Sequence, residues 1–70
     1  MSTQDTSAHL VKMANQIAAN LAAQGEAVAV AETAEHIAKF WDPRMKTAIF
    51  AADTEALSPI ARAAIAALKG

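Results

Sequence analysis

The stretch "KFWDPRM", Lys39 to Met45, decides how this sequence is read. Asp-Pro is a helix start. The aspartate side chain accepts a hydrogen bond from a first-turn amide, and proline at the first helical position gives up an N–H that had no partner anyway. Proline also drives the residue before it out of the α region. A helix that arrives at Trp41 therefore ends there and another leaves at Pro43, with essentially one non-helical residue, Asp42, between them. The stretch spells a sharp corner. It also sets two of the chain's three aromatic residues, Phe40 and Trp41, side by side.

Outward from the corner, helical spacing recurs in both directions. The helix before it is expected over residues 27–41, with Val30, Ala34, Ile37 and Trp41 on one face. Its start offers no Ser, Thr, Asp or Asn cap, so fraying is expected there. Glu32 with His36 and Glu35 with Lys39 are i, i+4 pairs on its wet side, worth about 0.2–0.5 kcal/mol each. The helix after the corner is expected over 43–52, with Met45, Ala48, Ile49 and Ala52 inward and Phe50 on the shoulder. Ser58-Pro59 repeats the start signal for a helix over 58–69, whose stripe is Ile60, Ala61, Ala64, Ile65 and Leu68. "DPRMKTAI" and "SPIARAAI" share the cap-proline pattern, which reads as convergent capping chemistry rather than an internal repeat.

The first helix is expected over 6–24, capped by Thr6 or Ser7, with Leu10, Met13, Ala14, Ile17 and Leu21 in register. Gly25 should end it in the left-handed conformation. Val11, Ala18 and Ala22 form a second apolar flank on this helix. Either alanine is simply tolerated there, or the helix touches both its own bundle and a partner. Residues 1–5 are polar and are expected to be disordered, leaving a single helical domain over 6–70. Strand signals are nearly absent, so the fold class is all-α: a small bundle of three to four short helices.

At 70 residues, a lone hydrophobic core is marginal. The apolar fraction is 54%, but much of it is alanine, and fewer than twenty residues are large and apolar. A second chain would supply the missing burial. The net charge is −1 with Lys and Arg scattered, which disfavours nucleic-acid binding. Cysteine is absent, which excludes disulfides and thiolate ligands. "MSTQDTS" has no basic patch ahead of an apolar run, so no signal peptide is read, and no run approaches the roughly 18 apolar residues of a membrane span. A cytoplasmic protein is the expectation.

No catalytic set emerges. His9 and His36 lie on different helices without a ligand cluster, and Glu32 beside His36 reads as a surface pair rather than a metal site. No nucleophile triad and no glycine-rich phosphate loop is present. The chain reads as no enzyme by itself, with no catalytic, metal or cofactor residues. What remains is the corner. Phe40 and Trp41 either both plug the gap between splayed helices, or one of them joins Arg44 as a binding anchor, since Trp and Arg often carry interface energy. Arg44 in a first helical turn opposes the helix dipole, so its charge is expected to act against Asp42 or a partner carboxylate.

"LVKMANQIAANL" and "AEHIAKFWDPRMKTAI" resemble the delta subunit of soluble NAD-dependent formate dehydrogenases, the molybdenum- or tungsten-containing multi-subunit enzymes. The resemblance is most specific at Met13-Ala14-Asn15-Gln16-Ile17, at His36-Ile37 and at Phe40 to Met45. It implies a subunit without a redox centre. Bis-molybdopterin guanine dinucleotide and iron–sulfur clusters belong to the large alpha subunit, and FMN, NAD and further clusters to others. It also implies an accessory role in assembly, cofactor loading or stability. On that basis the expected partner interface comprises Met13, Asn15, Gln16, His36, Phe40, Trp41, Arg44 and Met45, docking on the alpha subunit. Two alternatives stand beside it: a small DNA-binding helical domain, for which Arg44 and Lys46 are meagre recognition charges, and a homo-oligomer that packs its alanine faces together.

Overall fold

Pro43 and Pro59 each open a helix, and the chain between and around them supplies the rest. The computed structural model describes residues 3–69 and the side chains of residues 7–69. Four α-helices follow in order: α1 (Thr3–Leu21), α2 (Glu26–Phe40), α3 (Pro43–Ala51) and α4 (Pro59–Lys69), with 3₁₀ turns at Ala22–Gln24 and Thr54–Ala56. The expected small all-α bundle is what forms, and no strand occurs among the described residues. No helix among them is long and apolar enough to cross a membrane.

Three departures from the expected boundaries have a local reason, and the start of α2, the end of α3 and the start of α4 each shift by one residue. Of the segment expected to be disordered, Met1 and Ser2 lie outside the described residues, whereas α1 already runs from Thr3 rather than residue 6. Gln4, Asp5 and Thr6 include neither Gly nor Pro to stop it. At its other end α1 tightens into the 3₁₀ turn before Gly25. That glycine does take a positive φ, 103°, but with ψ 148°, a region open essentially to glycine alone and not the left-handed helix cap. The same residue closes the turn through its N–H to Ala22 O at 3.1 Å and opens α2 through Ala29 N–H to its carbonyl at 2.9 Å. One glycine therefore reverses the chain.

The third difference is the corner itself. Trp41 is not helical: it lies at φ −87°, ψ 136°, and Asp42 follows at φ −77°, ψ 169°. Two extended residues, rather than one, separate α2 from α3. Proline forces Asp42 out of the α region, and Trp41 can then rotate to bury its indole, a larger gain than one more helical residue. Its N–H still donates to Ile37 O at 3.1 Å.

The core is built from all four helices. Leu10, Ala14 and Ala18 of α1 meet Ile37, Trp41, Ile49, Ala61 and Ile65, with Leu57 from the α3–α4 connection, which the helical periodicity did not assign. Ile49, Ala61, Ala64 and Ile65 fall on the expected stripes of α3 and α4. In α2 the buried set is Ala29, Thr33 and Ile37, while Val30 and Ala34 are half-buried, so the inward face is turned by about one residue from the expected one. The reason is that α2 packs most extensively on α4, which the sequence gives no means to place. Small residues at 29, 33, 61 and 64 allow those two helices to approach closely. Thr33 Oγ1 is buried without a hydrogen-bond partner among the described residues.

Candidate interaction surface

The corner is fixed from within before it presents anything outward. Asp42 Oδ1 accepts from Met45 N–H at 2.9 Å, and Asp42 O accepts from Lys46 N–H at 3.1 Å. Lys46 Nζ crosses the corner and donates to Ala38 O at 2.9 Å, satisfying one of the carbonyls that every helix end leaves open. The extended backbone at residue 41 separates the two aromatics. Trp41 is buried in the core, and Phe40 is left 72% exposed. The indole fills the gap between the helices and the phenyl does not, so the two rings do not plug it together.

Phe40 does not hang free. The His36 ring packs against it with centroids 4.9 Å apart and planes tilted by 47°. This contact replaces the expected Glu32–His36 pair, because the imidazole one turn before Phe40 finds an aromatic neighbour on the same face. Glu35 and Lys39 do pair, at 3.0 Å, and both are exposed. Phe40 therefore rises at one end of a shallow groove edged by Leu21, Glu32, Glu35, His36 and Lys39. Arg44 stands exposed four residues on, without a hydrogen bond or ion pair among the described residues. The Asp42 carboxylate, its expected neighbour in charge, faces the amide of Met45 instead.

The remaining expected interface residues scatter. Gln16 is exposed on α1, while Met13 and Met45 are half-buried and pack against the core. Asn15 is turned inward. Its Nδ2 donates to Ala56 O at 3.0 Å and its Oδ1 accepts from Ser58 N–H at 2.8 Å, so both ends of the amide tie α1 to the start of α4. Arg62 completes that tie, donating through Nε to Thr54 O at 3.1 Å and through Nη2 to Leu57 O at 3.2 Å. Nothing in the helical spacing marked Arg62, because its partners are carbonyls of a short connection. The structure thus brings His36 and Phe40 together, places Arg44 four residues further along the chain, and turns Asn15 into contacts within the bundle. Among the described residues no three His, Cys, Asp or Glu side chains gather as a metal-binding group.

Fold and surface together define a small all-α bundle that presents a supported aromatic knob. A family model described as the NADH-dependent formate dehydrogenase delta subunit, FdsD, matches residues 9–65. The match runs from within α1 to within α4, and the chain belongs to that family. It is thus a formate dehydrogenase delta subunit by family, a component of a multi-subunit enzyme. Comparison with curated proteins and with solved structures gives no match.

Proposed function

We propose that this chain is a non-catalytic subunit that docks on the large, molybdopterin-containing subunit of its formate dehydrogenase and favours that subunit's assembled, cofactor-loaded state. The observation that carries the docking surface is Phe40: a large apolar ring, mostly exposed, braced by His36 and followed by the unpaired Arg44. A braced aromatic loses little conformational freedom on binding, and an aromatic with a neighbouring Arg is the residue combination in which interface energy concentrates. The redox groups — pterin-bound metal, iron–sulfur clusters, FMN and NAD — reside on this reading in the other subunits.

A docking chain shifts its partner only by its differential affinity for the partner's two states. Its contribution is therefore read from the loaded fraction. The test compares complexes made with the wild-type chain, with Phe40→Ala and Arg44→Ala chains, and without the chain. The expected result is loss of co-purification with the large subunit for the Phe40 variant, and lower metal–pterin occupancy and formate oxidation when the chain is omitted. Unchanged occupancy and activity without the chain would sink the reading. Helix α3 gives little support to DNA recognition, since Lys46 is committed to Ala38 O and leaves Arg44 alone on its first turn.

A further inference from the structure

The second flank of α1 is only partly covered. Between its C-terminal half and the start of α4 lies a groove of about 350 Å³, walled by Ala18, Ala19, Ala22, Pro59 and Ile60, with Glu26 at its edge. Most of the lining surface is apolar, with Asn15 and Ser58 also on it, and its α1 wall is largely alanine. An enclosed apolar cavity of about 150 Å³ accepts a benzene ring, so this groove, which is open to solvent along one side, has the volume to seat a phenyl group. Glu26 is exposed and makes no ion pair or side-chain hydrogen bond among the described residues.

One chain therefore carries both halves of a contact. Phe40 is a phenyl knob followed by an unpaired cation, Arg44, and the groove is a largely apolar recess with an unpaired carboxylate, Glu26, on its lining. The two halves cannot meet within one molecule. Glu26 and Phe40 are the first and last residues of α2, roughly 21 Å apart along a straight helix. We propose that two copies of this chain pair antiparallel along α2, each placing its Phe40 in the α1–α4 groove of the other and its Arg44 against the other's Glu26. Opposite ends of one helix are the arrangement that lets a two-fold pair make the same contact twice. The burial so gained suits a chain whose own core is small. Where Phe40 also serves the large subunit, which rests on the docking reading above, the pair must open before the chain joins the enzyme.

The test is sedimentation of the isolated full-length chain across a concentration series, with helicity checked by circular dichroism. Phe40→Ala removes the knob. Ala22→Arg fills the hole and sets a cation beside Glu26. Both positions are exposed, so both variants keep the fold. The wild-type chain is expected to dimerise, and each variant alone to associate at least about thirtyfold more weakly, as loss of a central aromatic anchor does. Mixing the two variants restores one knob and one intact hole, so a heterodimer is expected that neither forms alone. A wild-type chain that stays monomeric, a Phe40→Ala chain that still dimerises, or a mixture that remains monomeric overturns the proposal. No large subunit is present in these measurements, so their failure leaves the docking reading untouched.

Discussion

At Asp42-Pro43 and at Ser58-Pro59 the same short device starts a helix, yet the two neighbourhoods are put to opposite uses. Each cap accepts from the amide three residues on, Asp42 Oδ1 from Met45 at 2.9 Å and Ser58 Oγ from Ala61 at 3.3 Å. Around Ser58 the hydrogen bonds turn inward, although Pro59 and Ile60 also wall the α1–α4 groove. Leu57 is buried, Asn15 grips the backbone on both sides of the turn, and Arg62 holds the preceding carbonyls. Around Asp42, Trp41 and Met45 turn to the core and Lys46 folds back onto α2, while Phe40 and Arg44 face out. The contrast teaches that capping chemistry locates a corner but says nothing of its role. The role shows in which flanking groups the bundle leaves without an internal partner.

That contrast breaks most visibly at the aromatic pair. Trp41→Ala empties a core position and is expected to lower stability by about 3–5 kcal/mol, enough to unfold so small a domain in a thermal or urea melt. At the second corner, Asn15→Ala removes two hydrogen bonds and strands the half-buried Ser58 amide. A loss of about 1–3 kcal/mol is expected from denaturant midpoints. If that substitution proves neutral, the inward character of this corner is lost with it. The caps themselves separate less: Asp42→Ala is expected to cost about 1 kcal/mol and Ser58→Ala rather less, in line with its longer bond. Smallest is Phe40→Ala, within about 0.5 kcal/mol of wild type for an exposed side chain, although it should abolish partner binding. A melt and a binding assay on Phe40→Ala and Trp41→Ala, read together, sharpen the division between the neighbouring rings.

Much of this architecture is legible in the sequence. Four helices, both cap-proline starts, the break at Gly25 and the inward stripes of α3 and α4 follow from spacing and local chemistry. The face of α2 does not. Its Ala29-Thr33-Ile37 edge is set by packing on α4, a neighbour far along the chain, and a buried polar threonine has no local signature. Of the interface residues, Phe40 and Arg44 stand outward as an anchor requires, whereas Asn15 is engaged within the chain. An asparagine amide reads alike in sequence whether it faces a partner subunit or a loop of its own chain. The groove between α1 and α4 is equally invisible there, since alanines that line a cavity and alanines that close a helix contact have the same spacing.

The Asn15 grip also bears on time. The bond from Ser58 N–H to Asn15 spans 43 residues of chain, whereas the Asp42 cap spans three. A local cap can close as soon as its helix nucleates, but the long tie requires α1 and α4 to be brought together first. Asn15→Ala should consequently speed unfolding and leave the folding rate nearly unchanged, the signature of a contact made after the rate-limiting step. The corner carrying Phe40 would then be among the first parts of the chain to take shape, and the end holding the α1–α4 groove among the last.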